Sequence, residues 1–142
     1  MTLVVDASVV VAALIDAGAD GTWADQMLGS DALAAPHLMP VEVANVLRRA
    51  ALAGQISADS ASLAHADLQN LRVDLFAYEP FAERVWTLRT TITAHDGWYV
   101  ALAETLNAPL ATLDRRLARS PSARCTFTLP AASEPQSRRT RR

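Results

Sequence analysis

The chain has 142 residues, a mass of 15.3 kDa and a formal charge of −2, with 51% hydrophobic and 20% charged residues. That composition supplies the core of one ordinary domain and excludes disorder as its default state. All 13 basic residues are arginines, so a P-loop lysine on a phosphate and an amine for Schiff-base chemistry are both excluded.

Taken in chain order, Leu3, Val4 and Val5 form a short apolar run that predicts a buried strand, ended by Asp6. Residues 8–17 continue as an apolar helix closed by Gly18, and a second helix spans 22–28 with Trp23 and Met27 on one side. The apolar stretch at 9–15 is far shorter than the ~20 residues that cross a bilayer, and no basic leader precedes it. A second strand is expected at 32–35, before Pro36. Residues 38–53 have strong helical periodicity through Val43, Val46, Leu47 and Ala50, with Gly54 as the stop. Helical spacing returns over 57–71, and a brief strand follows at 75–77.

Pro80 opens a further helix in which Phe81, Val85, Leu88 and Ile92 share a face. A helix from Asp96 to about Asn107 is apolar on most sides, which predicts burial on several faces. A strand at 110–113, a short helix at 114–119 and a last strand at 125–129 complete a domain over 1–129. Residues 130–142, rich in Pro, Ser and Arg, read as a flexible tail. No repeat or second domain is visible. Short strands alternating with helices predict an α/β domain around a mainly parallel sheet.

Cys125 stands alone, without a disulfide partner or a zinc-ligand spacing, which points to a reducing, cytoplasmic setting. Neither GxGxxG nor GxSxG occurs, which leaves a dinucleotide fold and an α/β-hydrolase unsupported. Acids dominate instead: residues 1–132 hold 9 arginines against 14 acids, a net charge of −5, while four of the last five residues are arginines. The body therefore lacks an ordinary basic nucleic-acid footprint.

Four carboxylates stand at chemically suggestive places. Asp6 and Asp114 follow strands, where open parallel sheets collect their reactive groups. Asp96 and Glu42 stand near helix starts. Each has an ordinary structural reading, as a helix cap or a solvated first-turn acid. If they converge, their repulsion calls for a hard cation, and an all-oxygen donor set suits Mg²⁺ or Mn²⁺. Such an ion polarises a phosphoryl oxygen and acidifies a bound water, which suits phosphodiester hydrolysis.

The blocks Leu3-Val4-Val5-Asp6-Ala7-Ser8-Val9, Pro40-Val41-Glu42-Val43-Ala44-Asn45-Val46-Leu47, His95-Asp96-Gly97-Trp98-Tyr99-Val100-Ala101-Leu102-Ala103-Glu104 and Ala111-Thr112-Leu113-Asp114-Arg115-Arg116-Leu117 resemble the four signature blocks of PIN-domain ribonucleases. They are most similar to those of the VapC toxins of bacterial toxin–antitoxin pairs. The resemblance implies a parallel sheet of four to five short strands flanked by helices on both faces, with Asp6, Glu42, Asp96 and Asp114 as a catalytic metal site. It matches Thr112 to a hydroxyl near the acids, and Ser8 and Asn45 to polar residues behind them. It further implies an RNA substrate, products with a 5′-phosphate and a 3′-hydroxyl, a homodimer, and silencing by a VapB-like antitoxin. Gly97, where the family more often has alanine, and the arginine tail depart from its pattern.

Arg115 and Arg116 adjoin Asp114 and are candidate RNA-backbone contacts, with a solvated surface as the alternative. Glu42, Asn45 and Arg49 form one polar stripe on their helix. His37, His65 and His95 have no zinc spacing. Trp23 and Met27 suit either a partner-helix groove or the core. The expected function is therefore a Mg²⁺- or Mn²⁺-dependent endoribonuclease toxin. The alternatives are a PIN nuclease of RNA processing and a binding module whose acids are only caps.

Overall fold

The computed structural model describes residues 1–30 and 32–132. Strand β1 is Thr2–Val5, followed by helices α1 (Ala7–Ile15) and α2 (Ala19–Leu28), strand β2 (Ala32–Pro36), and helices α3 (Met39–Leu52) and α4 (Ala58–Asn70). Strand β3 (Asp74–Phe76), helices α5 (Ala82–Thr87) and α6 (Ala94–Leu106), strand β4 (Leu110–Ala111), helix α7 (Arg115–Ala118) and strand β5 (Phe127–Thr128) complete the order. A 3-10 turn at Glu79–Phe81 leads into α5. No helix among the described residues is long and apolar enough to cross a membrane.

The five strands form one parallel sheet in the order β3-β2-β1-β4-β5. Leu3, Val4 and Val5 are buried on both faces of the central strand, which explains why β1 reads as a continuous apolar run rather than an alternating one. The chain steps one way from β1 to β3, then crosses back to β4 on the far side of β1. Right-handed crossovers then place α1–α4 on one face and α5–α6 on the other. The contacts agree: α1 packs on α2, α3 and α4, whereas α6 packs on α5, β1, β2 and β4. This is the expected doubly covered α/β architecture.

Several element boundaries differ from expectation: α1 ends at Ile15 rather than at 17, α2 begins at Ala19 rather than at 22, and α6 begins at Ala94 rather than at 96. The helix opened by Pro80 stops at Thr87 instead of continuing through Ile92. Phe81, Val85, Leu88 and Ile92 are all buried as anticipated. Beyond Thr87 the backbone tightens to three-residue spacing, with Arg89 N–H donating to the Trp86 carbonyl at 3.2 Å and Thr91 N–H to that of Leu88 at 3.1 Å, and the Arg89 and Thr91 side chains share those same carbonyls. Strand β4 covers only Leu110–Ala111, although the Thr112 amide still donates to the Thr128 carbonyl at 3.1 Å while its hydroxyl bonds to Asp6. The last strand narrows to Phe127–Thr128. Trp23 and Met27 lie half-buried against the core. The expected tail falls largely on residues 133–142, outside the described residues.

Candidate active site

The register of the sheet builds the site. Val5 pairs with Ala111, so the next residues, Asp6 and Thr112, leave the sheet side by side where the strand order reverses. Asp6 caps α1, its Oδ1 accepting from the Val9 amide at 3.2 Å and from the Ser8 hydroxyl at 2.5 Å. Its Oδ2 accepts from the Thr112 hydroxyl. Thr112 Oγ1 in turn accepts from the Asp114 amide at 2.9 Å, and Ser8 Oγ from the Leu113 amide at 3.1 Å. Two hydroxyls thus tie the loop after β4 to the first carboxylate.

The other acids arrive on helices. Glu42, in the first turn of α3, accepts from the Tyr99 hydroxyl at 3.2 Å. Asp96 stands in the first turn of α6, but it is Thr93 that caps that helix, accepting from the Asp96 amide at 3.2 Å. The capping reading of Asp96 is thereby replaced, and its carboxyl instead lies in hydrogen-bonding reach of the Thr93 side chain. Asp114 does cap α7, accepting from the Arg116 and Leu117 amides at 3.0 Å each.

Electrostatics show that these groups sense one another. Burial pushes the Asp6 carboxyl up despite its three donors, and the Asp96 charge adds to the rise. Burial also raises Glu42, as do the Asp96 and Asp6 charges, while Tyr99 and His95 oppose them. Asp96 is raised by burial and then by the Asp114 charge. The Tyr99 phenol is pushed far up by burial and by Glu42 and Asp6, which keeps its proton in place to donate.

Residues 3–122 match the PIN domain family. A VapC ribonuclease of Mycobacterium bovis is 37% identical over 127 residues, covering 89% of this chain and 97% of the relative. Ribonuclease VapC1 of Mycobacterium tuberculosis is 40% identical over 127 residues, covering 89% and 96%. The chain belongs to the PIN domain family. Among solved structures, VapBC2 from Rickettsia felis, bound to a DNA fragment from its promoter, shares the fold at a TM-score of 0.63 and 14% identity, covering 91% of this chain and 98% of that one.

In this PIN domain the donor chemistry fits a hard divalent ion. The acids supply oxygen ligands only, and three of them are held above their ordinary values by burial and by one another. Among the described residues no three His, Cys, Asp or Glu side chains stand close enough to hold an ion unaided. An ion here would have to complete its shell with waters, or draw the acids closer together on binding.

The remaining candidates divide. Ser8 and Thr112 both reach Asp6. Asn45 is exposed on α3, with no hydrogen bond to any acid. Arg115 turns away and donates to the Pro130 carbonyl at 2.8 Å, whereas Arg116 lines a small cavity together with Asp96 and Asp114. Trp23 and Met27 pack against the core. An apolar groove of about 640 Å³ instead runs over Ala7, Val11 and Ile15 of α1, Val46 of α3 and Leu113. Tyr99 was read in the sequence only as part of the α6 core. Its three-residue spacing from Asp96, which puts both on one helix face, was the available signal.

Proposed function

We propose that this chain is a metal-dependent endoribonuclease and the toxin of a VapBC-type pair, with Asp6, Glu42, Asp96 and Asp114 as the acids that hold Mg²⁺ or Mn²⁺. The observation that carries the reading is Asp6: a buried carboxylate at the sheet's switch point, fixed by three donors, facing the charges of two further acids. Its relatives named as ribonucleases support the substrate class.

When bound, the ion supplies charge neutralisation at a phosphoryl oxygen and acidifies a water. The chain's own residues provide the frame. Ser8, Thr112 and the Val9 amide hold both oxygens of Asp6, so that carboxylate needs no reorganisation when an ion enters. Tyr99 fixes one oxygen of Glu42. Thr93 caps α6 through the Asp96 amide and also supports the Asp96 carboxyl by a side-chain hydrogen bond.

The toxin reading also assigns the apolar groove. It runs from Ile15 to Ser8 and Leu113, so a partner segment seated there lies against the rim of the acid crevice. We assign it to the cognate antitoxin, and Val11→Asp should weaken co-purification with that antitoxin. Unaltered capture by Val11→Asp would place the antitoxin elsewhere. Exposed Val41, Leu52 and Leu63 leave apolar surface for a second copy, and light scattering should give the mass of a homodimer. A cytoplasmic location follows from an RNA substrate.

The deciding experiment is calorimetric titration of Mg²⁺ or Mn²⁺ into wild type and Asp96→Asn, with cleavage of total RNA read in parallel. Metal binding and cleavage should both vanish in the variant. If the two proteins behave alike, Asp96 reverts to a first-turn residue and the nuclease assignment fails.

A further inference from the structure

All four acids enter the crevice with an oxygen already committed to a donor. Asp6 accepts on both oxygens, from the Val9 amide and the Ser8 hydroxyl on Oδ1 and from the Thr112 hydroxyl on Oδ2. Asp114 accepts two amides on Oδ1, and the Thr93 side chain supports the Asp96 carboxyl. Glu42 accepts from Tyr99 on Oε1. The donors to Asp96 and Asp114 are close neighbours in sequence. Tyr99 instead reaches Glu42 from another helix, 57 residues away, through a single hydroxyl.

The surroundings of that hydroxyl leave it little choice. Tyr99 is 2% exposed, so its proton depends on a protein acceptor, and Glu42 is the one it has among the described residues. The Ala7 amide lies in hydrogen-bonding reach of the same oxygen. Ala7 is the first residue of α1, where amides have no partner inside the helix. An amide on the phenol oxygen leaves the phenol proton to serve Glu42. Tyr99 thus stands where three acid-bearing segments meet: Ala7 follows Asp6, Glu42 lies on α3, and Asp96 is three residues earlier on α6.

A carboxylate that grips an ion with both oxygens must give up such a donor. For Glu42 that would strand a buried phenol proton, which is unfavourable. Mg²⁺ is content with one oxygen from each of one or two carboxylates and keeps several waters, whereas the larger Ca²⁺ takes more oxygens and often both of one carboxylate. We propose that Tyr99 is a positioning residue that holds Glu42 as a single-oxygen ligand and so favours Mg²⁺ over Ca²⁺. The proposal rests on the reading of these acids as a metal site. The phenol touches neither ion nor RNA; it acts through Glu42, whose long side chain it orders before an ion arrives.

Calorimetric titration of Mg²⁺ and, separately, of Ca²⁺ into wild type and Tyr99→Phe tests this. Phenylalanine keeps the ring in the core and removes only the hydroxyl. Mg²⁺ should bind the variant about tenfold more weakly, because Glu42 is no longer held. Ca²⁺ should bind it no more weakly than wild type, because both Glu42 oxygens are then open. A second measurement needs no change at Tyr99. The chain has two tyrosines, so Tyr78→Phe leaves Tyr99 as its one phenol. Mg²⁺ should move the near-ultraviolet band of that phenol to shorter wavelength, in step with the calorimetric isotherm, since an ion on Glu42 draws charge from the oxygen the phenol serves. Saturating Ca²⁺ should move it further. The proposal is overturned if Tyr99→Phe binds Mg²⁺ as wild type does, if both ions weaken by the same factor, or if neither ion moves the Tyr99 band. A wild type that binds Mg²⁺ and cuts RNA under any of those outcomes keeps the nuclease reading. A wild type that takes up neither ion overturns both.

Discussion

Asp6 has two opposing demands placed on it. Burial penalises its charge, while Ser8, Thr112 and the Val9 amide all favour it, and the penalty prevails. The same sign holds at Glu42 and Asp96, where burial is again the largest cause. A carboxyl whose folded value is raised stabilises the protein fully below its ordinary value, 3.8 for Asp and 4.5 for Glu, and that contribution is lost as pH rises through the folded value. Metal-free protein should therefore carry its greatest excess of uncompensated charge in this crevice at neutral and alkaline pH. Saturating Mg²⁺ is expected to raise the melting temperature more at about pH 8 than at about pH 5, because binding requires ionised ligands. An equal or larger shift at the lower pH would contradict the site. At this scale the sequence was informative about which acids matter and silent about their support. Asp6 and Asp114 could be read from strand ends, but the hydroxyl of Tyr99 on Glu42 depends on a contact 57 residues apart. No local pattern encodes it.

At the scale of elements, helices were more legible than their ends. The apolar stripe of α3 runs through Val43, Leu47 and Ala50, which are all buried, and Gly54 at φ 75° stops the chain just beyond it. The ends differed where the backbone tightened to three-residue spacing, as after Thr87, a change that apolar periodicity does not encode. Two glycines sharpen the point. A Cβ on Gly21 would lie 1.8 Å from the Asp16 carbonyl oxygen, so α1 and α2 meet only because that atom is missing. On Gly97 the nearest atom would be Val85 Cγ1 at 3.4 Å, an ordinary contact. Gly97→Ala should therefore stabilise the protein by up to about 1 kcal/mol through helix propensity, whereas Gly21→Ala should cost about 1–3 kcal/mol as overpacking. Urea denaturation of both variants tests the pair, and the same sign in both would refute the reading of the backbone approach.

Across the whole molecule, one ion pair spans parts of the fold that the sheet does not join. Arg84 of α5 grips Glu104 of α6 with two bonds of 2.7 and 3.1 Å and also donates to the Ser122 carbonyl, while the Arg124 amide donates to Glu104. Burial alone would raise the Glu104 carboxyl, but these bonds outweigh it and hold it below its ordinary value. Its contribution is thus present above about pH 4.5 and is lost as pH falls through the depressed folded value. Glu104→Gln should cost about 1–2 kcal/mol at neutral pH, with the gap from wild type closing toward pH 3 in denaturant melts. A constant gap would assign the loss to packing instead of charge. The fold class was legible from alternating strands and helices. The mutual approach of the acids, seen in the pairwise effects of their charges, was not, because it depends on a strand order that periodicity does not specify; the family resemblance implied it.

That strand order also carries a consequence in time. The bond from Thr112 to Asp6 spans 106 residues, and the last partner of the first carboxylate is made only when β4 exists. At roughly 5–20 residues per second of synthesis, a ribosome spends about 5–20 s between the two. Throughout that interval the nascent chain has its first acid and no crevice, and any fragment that ends before Leu110 is inert. Assembly of the site therefore waits on β4, and a nascent chain should stay disarmed until that strand has been made.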